Sequence, residues 1–305
     1  MVDKAQYFHA NGKLLLTGEY FVLDGAKALA TPTKFGQSLF VRPSNQMEIS
    51  WRSLNYEGEK WFSGRFQIED LEQIESNHLE IADNLIRLFS EVRKQKPDLF
   101  VHGWDFQTRL DFPELWGLGT SSTLITNTAR WANIDPYHLL EATFGGSGYD
   151  IACAEHHQPI IFKKGIPNII QELSWKPSFS SHLFFVYLGK KQNSREGIAL
   201  YKSKGIPPKE ILEEVTLITD KIIITKDYNE FRKFLDIHED LVASYLGLEK
   251  VKDKYFSDFS GSTKSLGAWG GDFILVASIW DEDKTKSYFK NLGFETVINW
   301  NEMIA

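Results

Sequence analysis

The segment Trp116-Gly117-Leu118-Gly119-Thr120-Ser121-Ser122 places two glycines directly before three hydroxyl side chains. Apolar residues then recur at helical spacing over residues 124–131. Hydroxyl side chains are favoured at helix N-caps, so we predict a helix that starts at Ser121 or Ser122 with a hydroxyl as its cap. The glycines leave space for backbone N–H groups to approach an anion. A glycine loop that leads into a helix N-terminus can bind phosphate, because the N–H groups and the helix dipole both favour negative charge there.

Two common nucleotide-binding loops do not fit this segment. A Walker A loop needs Gly-x-x-x-x-Gly-Lys-Ser/Thr, which does not occur in the chain. The dinucleotide fingerprint needs a further glycine three residues after Gly119 and a parallel βαβ unit around it. The spacing alone leaves open the alternative of a helix-capping turn that binds no ligand.

Length, charge and cysteine content narrow the class of protein. A chain of 305 residues is long for one hydrophobic core, so we expect two domains with a cleft between them. The net charge of -7 disfavours a general nucleic-acid binder, which needs a basic face. The single cysteine, Cys153, allows no internal disulfide and fits a reducing cytoplasm. The apolar run 14–16 is too short for a signal segment or a membrane span, so no membrane association is expected.

Hydrophobic periodicity predicts an alternation of strands and helices along the chain. In the first part we predict strands at 8–16, 38–41 and 105–111, a hairpin over 47–68, and helices at 79–92 and from 121 or 122. After Pro177 we predict strands at 182–188 and 273–279 and helices at 208–224 and 228–246. The domain boundary is placed near residues 176–181.

Three motifs occur in the order found in GHMP kinases, the superfamily of galactokinase, homoserine kinase, mevalonate kinase and phosphomevalonate kinase. Residues 117–122 resemble the Gly-Leu-Gly-Ser-Ser-Ala loop of these enzymes, with Thr120 in place of the first serine. Residues 10–20, Ala-Asn-Gly-Lys-Leu-Leu-Leu-Thr-Gly-Glu-Tyr, resemble the first motif. Residues 264–272, Lys-Ser-Leu-Gly-Ala-Trp-Gly-Gly-Asp, resemble the last motif.

The resemblance implies a two-domain α+β fold. The N-terminal domain, 1–178, is expected to be like ribosomal protein S5 domain 2, and the C-terminal domain, 179–305, to be ferredoxin-like. In the family the glycine loop wraps the ATP phosphates, so the resemblance implies ATP as cofactor. The ATP-binding residues implied in this way are Gly117, Leu118, Gly119, Thr120, Ser121 and Ser122.

The catalytic residues implied by the resemblance are Asp150 and Lys13. Gly-Gly-Ser-Gly-Tyr-Asp at 145–150 is similar to Gly-Ser-Gly-Phe-Asp of phosphomevalonate kinases and to Pro-Ser-Gly-Ile-Asp of mevalonate kinases. Asp150 would be the general base on the substrate hydroxyl, and Lys13 would lower the pKa of both groups. Taken alone, Asp150 could equally be a helix N-cap and Lys13 a solvated surface lysine.

The metal ligands implied by the family are Ser121 and Glu141, which would hold Mg²⁺. Glu141 lies nearer to Asp150 than the family spacing, so a solvent-facing helical glutamate is the alternative. His156 and His157 are adjacent in sequence, and neighbouring side chains diverge on a helix, so no metal site is expected there.

A small anionic substrate is the expected partner. Gly-Glu-Tyr followed by Val-Leu-Asp-Gly at 22–25 resembles the opening of phosphomevalonate kinases. The cations and hydrogen-bonding groups of the segment 189–195 suit a carboxylate or phosphate, although a solvated basic loop remains the alternative. The predicted substrate-binding residues are Glu19, Tyr20, Lys190, Asn193, Ser194, Arg195, Gly267, Gly270 and Gly271.

The motifs depart from the family at Asn11, where proline is usual, and at Trp269, where glycine is usual. These departures bear on substrate range and rate more than on the fold. The resemblance of residues 19–25 and 270–272 to phosphomevalonate kinases implies mevalonate or 5-phosphomevalonate as the substrate, which one sequence does not separate. The rivals are a diphosphomevalonate decarboxylase, a sugar 1-kinase and an inactive ligand sensor of the same fold. The sequence leaves the oligomeric state open, with a homodimer among the alternatives.

Overall fold

Strands and helices follow one another along the whole chain in the computed structural model, which describes residues 4–190, 193–269 and 271–305. The strands are β1 (Gln6–Thr17), β2 (Ala28–Ser44), β3 (Glu48–Leu54), β4 (Lys60–Gln67), β5 (Gln73–Ser76), β6 (Gly103–Leu110), β7 (Ile160–Lys163), β8 (Ile169–Glu172), β9 (Leu183–Tyr187), β10 (Ser262–Ser265), β11 (Phe273–Ala277) and β12 (Val297–Asn299). The helices are α1 (Leu79–Gln95), α2 (Thr120–Ala132), α3 (Pro136–Thr143), α4 (Tyr149–Glu155), α5 (Ser194–Ser203), α6 (Lys209–Ile224), α7 (Tyr228–Leu246), α8 (Val251–Tyr255), α9 (Glu282–Asn291) and α10 (Trp300–Met303).

The chain forms two compact units that do not follow a single cut of the sequence. The first unit contains the residues up to Gly12 together with Phe35–Glu114 and Leu118–Glu155. The second contains Lys13–Lys34, Leu115–Gly117 and the chain from His156 onward. The segment 13–34 clusters with the second unit partly because its backbone is bonded there, as in the hydrogen bond from Gly18 N to His238 Nε2 at 2.9 Å. The domain boundary predicted between residues 178 and 179 therefore remains a prediction.

The first unit is a sheet covered by helices. Its strands lie in the order β5-β4-β3-β6-β2. Strands β3 and β4 form the expected antiparallel hairpin, whereas β3 and β6 run parallel. Apolar side chains of the strands and of α1 to α4 share one core, in which Trp51 stacks on Phe106 with ring centroids 5.1 Å apart. Burial of large aromatic side chains in this core provides much of its stability.

The second unit has a four-stranded antiparallel sheet in the order β10-β11-β9-β12. One core joins this sheet to α8 and α9 through Phe256 and Phe289, and another joins α6 and α7 to the segment around Phe21. In the same unit β7 pairs with the start of β2 and with β8. No helix within residues 4–190, 193–269 and 271–305 combines the length and apolarity needed to cross a membrane.

Most predicted elements are confirmed, and two differ in an instructive way. Helices α1, α6 and α7 and strands β1, β6, β9 and β11 lie within a few residues of the predicted bounds. Strand β2 begins at Ala28 rather than near residue 38. The sequence pattern does not reveal this start, because residues 28–33 are buried on both faces and show no polar alternation. Helix α2 begins at Thr120, and its N-cap is Gly119 rather than a hydroxyl residue, so that prediction was wrong.

Candidate active site

The glycine loop turns into α2 through two residues in the left-handed region. Gly117 has φ 69° and Gly119 has φ 93°, a conformation that costs glycine little and other residues more. As N-cap, Gly119 offers no side chain to the first turn, and its carbonyl accepts hydrogen bonds from Thr123 N at 3.0 Å and from Ser122 Oγ at 2.8 Å. The first N–H groups of a helix lack intrahelical partners, so the start of α2 presents donors that no N-cap side chain occupies.

The three hydroxyl side chains at the start of α2 differ in exposure. Ser122 is buried and its hydroxyl is engaged with Gly119, which makes it part of the turn. Thr120 is half-buried and Ser121 is exposed. Of the three, Ser121 therefore offers the most accessible oxygen to a ligand of the loop.

The N-terminal half of α2 is anchored to β2 by buried hydrogen bonds to one residue. Gln37 Oε1 accepts from Thr123 Oγ1 at 3.0 Å, and Gln37 O accepts from Asn127 Nδ2 at 2.8 Å. All three residues are buried. Buried hydrogen bonds of this kind hold the helix start in one position, which a phosphate site on backbone N–H groups requires.

Asp150 lies in the first turn of α4, and α4 packs against α2 in the first unit. The side chain is half-buried, and its Oδ1 accepts from Ile151 N at 3.2 Å. A further bond between the two helices runs from Arg130 Nη2 to Ala154 O at 3.3 Å. Asp150 is thus inside the helix rather than at its N-cap, and the helix that carries it adjoins the helix that follows the glycine loop.

The oxygen donors proposed for Mg²⁺ are both accessible. Glu141 is exposed on α3, a helix that packs against α2, and Ser121 is exposed at the start of α2. Within the described part of the chain, no group of three or more His, Cys, Asp or Glu residues could hold a metal ion. Mg²⁺ at a nucleotide needs only one or two protein oxygens beside phosphate and water oxygens. The donor set therefore fits a nucleotide-bound magnesium ion rather than a protein cage.

Lys13 lies on β1 and belongs to the second unit. Its Nζ donates to Gly117 O at 3.0 Å, so the lysine is bonded to the start of the glycine loop. The preceding loop residues are also fixed in this unit. Leu115 O accepts from Tyr187 Oη at 3.0 Å, and the ring of Trp116 lies edge-on to that of Phe273, with centroids 5.4 Å apart. The cation and the residues 115–117 are therefore held together.

Glu19 and Tyr20, which the sequence assigns to substrate binding, lie in the interior of the second unit. Glu19 is fully buried and forms an ion pair with Lys264, and Lys264 Nζ also donates to Ser265 O at 3.0 Å. Burial raises the pKa of Glu19, while the charge of Lys264 opposes this. Tyr20 is buried, stacks on Tyr201 and donates its hydroxyl to Ala268 O at 2.8 Å. Both residues hold the first and last motifs in place.

Two further residues of this network, His238 and Glu239, were not predicted. Glu239 Oε1 and Oε2 accept from Ser265 Oγ at 2.8 Å and from Ser265 N at 2.9 Å. Burial raises the pKa of Glu239 to about 7. Burial and the charge of Lys264 lower the pKa of His238 well below its usual range. His238 is therefore neutral, and because Nε2 accepts the N–H of Gly18, its approach to Glu19 Oε2 at 3.5 Å is not an ion pair. Adjacent residues in a regular helix gave no sequence signal for this cluster.

The remaining predicted substrate-binding residues belong to the segment 189–195 and to the last motif. Lys190, Ser194 and Arg195 are exposed, and so is Asn193, whose side chain caps α5 by accepting from Arg195 N at 3.0 Å. Gly267 and Gly271 of the last motif are less exposed than these residues. Gly267 has φ 59°, and Gly271 is buried. Gly270, Lys191 and Gln192 lie outside the described residues.

Comparison with solved structures identifies the fold. Methanococcus jannaschii mevalonate kinase matches with a TM-score of 0.70 and 18% identity, covering 96% of each chain. Streptococcus pneumoniae phosphomevalonate kinase, in complex with phosphomevalonate and AMPPNP, matches with a TM-score of 0.66 and 14% identity over 96% of this chain and 99% of the other. Lactococcus lactis galactokinase with galactose matches with a TM-score of 0.68 and 11% identity over 96% and 89%. The fold is that of the GHMP kinases.

The GHMP kinase fold covers nearly the whole chain, which confirms the predicted α+β architecture. No family model and no curated protein matches the sequence. At identities of 11 to 18%, the likeness is carried by backbone arrangement far more than by side chains.

Proposed function

We propose that the protein is an ATP-dependent kinase that phosphorylates a hydroxyl or phosphate group of a small molecule. One observation carries the proposal: Gly119, in the left-handed conformation, starts α2 without a capping side chain, in a chain with the GHMP kinase fold. Such a helix start favours phosphate binding, because its N–H groups and dipole face the anion. No N-cap side chain competes with a phosphate for these N–H groups.

In this proposal the backbone N–H groups after Gly119 hold the nucleotide phosphates. Lys13, fixed by its bond to Gly117 O, provides a positive charge for phosphoryl transfer. Asp150 accepts the proton of the substrate hydroxyl. Ser121 and Glu141 would hold Mg²⁺, which neutralises phosphate charge when bound.

We propose mevalonate or 5-phosphomevalonate as the substrate. The first and last motifs support this choice through their resemblance to phosphomevalonate kinases, and two solved structures of this fold are a mevalonate kinase and a phosphomevalonate kinase. The exposed cations Lys190 and Arg195 suit an anionic substrate. A sugar 1-kinase is the second candidate, because a galactokinase matches over a similar part of the chain. A reducing cytoplasm is proposed as the compartment.

A substrate panel tests the proposal. Purified protein is incubated with Mg²⁺-ATP and with mevalonate, 5-phosphomevalonate, galactose or homoserine, and ADP release is followed. Phosphorylation of either mevalonate compound supports the proposal, and phosphorylation of galactose alone supports the sugar kinase. The panel also includes diphosphomevalonate, for which release of carbon dioxide with ADP identifies the decarboxylase. ATP binding without turnover on any compound indicates a ligand sensor.

A pair of glycine variants tests the observation behind the proposal. Gly119→Val should abolish nucleotide binding, because a branched side chain enters the space of the phosphates. Gly58→Val is the matched control: Gly58 also has positive φ, at +88°, and a Cβ there would meet nothing within 4 Å. Both variants carry the same kind of backbone strain, so normal ATP affinity in Gly119→Val would sink the assignment of the phosphate loop.

A further inference from the structure

We propose that Asp272 is a positioning residue for the phosphate loop. Its carboxylate occupies the space beside Gly117. It thereby fixes the backbone of Gly117, from which the chain continues into the nucleotide-binding turn. The proposal rests on the proposed function, because it assigns a role toward the nucleotide. It concerns only residues of the second unit, to which Gly117, Asp272 and Lys13 all belong.

The first observation is the absence of space at Gly117. A Cβ built on this glycine would lie 2.5 Å from Asp272 Oδ2 and 2.6 Å from Oδ1, closer than non-bonded atoms approach. The carboxylate thus stands where any other residue would have its side chain. Any other residue at position 117 would have to displace this carboxylate, and it would also be strained, because the φ of +69° lies in the left-handed region.

The second observation is that Asp272 is itself held in an unfavourable conformation. Its φ is 52°, which is uncommon for a residue other than glycine, although aspartate tolerates it better than most. Asp272 N donates to Lys190 O at 2.6 Å, and Asp272 O accepts from Leu188 N at 2.8 Å. The N–H and C=O groups of Asp272 are therefore both fixed, and its strained backbone determines the direction of the side chain. Strain of this kind is found at functional positions that the surrounding structure determines.

The third observation is that the neighbouring loop residues are held by residues close to Asp272. Asp272 directly precedes Phe273, whose ring contacts Trp116, and Tyr187 on the adjacent strand β9 donates to Leu115 O. Each of the three residues 115–117 therefore has an anchor in the second unit, and Asp272 acts on the last of them.

The role follows from shape rather than from charge. A carboxylate near a phosphate loop repels the nucleotide, so the direct effect of its charge on the phosphates opposes binding. Asparagine has nearly the same shape without the charge. Asp272→Asn should therefore keep the loop in position, whereas Asp272→Gly should release it.

The test compares three variants in calorimetric titrations with Mg²⁺-AMPPNP and in steady-state kinetics. For Asp272→Gly we expect nucleotide affinity to fall about tenfold or more, with a raised KM for ATP and a smaller change in kcat. For Asp272→Asn we expect affinity within about threefold of the wild-type value. Asn133→Gly is the control, since Asn133 is exposed with a φ of 53° and lies at the far end of α2. It should leave affinity unchanged.

The stability readout separates positioning from general folding. Glycine suits a φ of 52°, so Asp272→Gly should melt within about 3 °C of the wild-type protein although it binds nucleotide poorly. Unchanged affinity in Asp272→Gly would overturn the inference. An equal loss of affinity in Asp272→Asn would also overturn it, because charge rather than shape would then be responsible.

A double-mutant cycle tests the contact without any nucleotide. Gly117→Ala should lower the melting temperature more in the wild-type background than in the Asp272→Gly background, because the overlap with the carboxylate is gone while the strain at residue 117 remains. Equal losses in both backgrounds would overturn the contact. If the contact is present but the wild-type protein binds no nucleotide, the proposed function fails and the positioning role fails with it. If the wild-type protein binds and Asp272→Gly binds equally well, only this inference fails.

Discussion

Glu19 and Lys264 form an ion pair in which both side chains are fully shielded from solvent. Burying two charges costs free energy that their attraction offsets only when further hydrogen bonds satisfy them. Lys264 has such a bond to Ser265 O, whereas Glu19 Oε2 has no hydrogen-bond partner among the described residues. The pair joins the first and the last sequence motif, so its integrity should matter to the fold of the second unit.

Replacement of Lys264 by methionine should strongly destabilise the protein. It leaves the buried carboxylate of Glu19 without its cation, a change that typically costs about 3–5 kcal/mol of unfolding free energy. Urea denaturation measures the effect. The control is Lys250→Met, which breaks a partly exposed pair with Asp240 at 2.8 Å and should cost about 1 kcal/mol or less. A similar small loss for both variants would contradict the prediction, as would a double variant Glu19→Gln/Lys264→Met that is no more stable than Lys264→Met alone.

The stability contributed by Glu239 should decrease as pH rises. Burial raises the pKa of this carboxyl from 4.5 to about 7, so the folded protein retains a proton that the unfolded chain has lost. The contribution is fully present below about pH 4.5 and is lost as pH rises through about 7. The shift corresponds to a change on the order of 3 kcal/mol between those limits. Lys264, Glu19 and His238 are the other charged or titratable residues of this cluster. They are present in both the wild-type protein and the Glu239→Gln variant, so they do not distinguish the two.

The measurement for Glu239 is urea denaturation of the wild-type protein and of Glu239→Gln from pH 5 to pH 8. Glutamine does not titrate and loses one acceptor for Ser265, so its own penalty should be constant with pH. The stability of the wild-type protein should therefore fall relative to the variant across this range. A constant difference between the two proteins would show that Glu239 is not protonated in the folded state at pH 5 to 7.

Replacement of Asp150 by asparagine should remove turnover and leave nucleotide binding intact. Loss of a general base typically lowers the rate by about 10²–10⁴-fold, while the amide preserves the size of the side chain. Kinetics and nucleotide titration on one preparation give kcat and Kd. Asp135→Asn is the control, because Asp135 caps α3 by accepting from Tyr137 N and asparagine caps nearly as well. Near-normal kcat in Asp150→Asn would remove this residue from the mechanism.

Two neighbouring serines should respond differently to alanine. Ser121→Ala removes the exposed hydroxyl proposed for magnesium and should weaken use of Mg²⁺-ATP with little change in stability. Ser122→Ala removes a buried hydroxyl bonded to Gly119 O and should cost about 1 kcal/mol of stability. Kinetics at varied magnesium concentration and thermal melts separate the two effects. Unchanged magnesium dependence in Ser121→Ala would exclude this serine as a ligand.

The sequence predicts best those elements that have one buried face. Helices α1, α6 and α7 each combine a buried stripe with an exposed one, and their bounds were predicted closely. The start of β2 has no exposed face, so its residues carry no alternation and were missed. The start of α2 was misplaced because hydroxyl residues usually cap helices, whereas here the left-handed glycine takes that position.

The candidate site was predictable where neighbouring residues in sequence form it. The composition of the glycine loop identifies it, and the segment around Asp150 resembles a family motif. Asp272 and Glu239 act on residues that are far away in the sequence, and nothing in a single chain reveals such contacts. The burial of Glu19 was likewise hidden, because its assignment to substrate binding rested on resemblance to a family motif, which does not show whether a side chain is buried.

Helix α5 contains a position where local and tertiary preferences oppose each other. Gly197 lies inside the helix, and a Cβ built there would lie 3.0 Å from Tyr20 Cζ and still closer to its hydroxyl. A glycine in a helix interior is about 1 kcal/mol less favourable than alanine. Ordinary stabilisation by Gly→Ala would here displace Tyr20 from its bond to Ala268 O. A protein engineer who improved this helix in isolation would therefore weaken the junction between the first and the last motif.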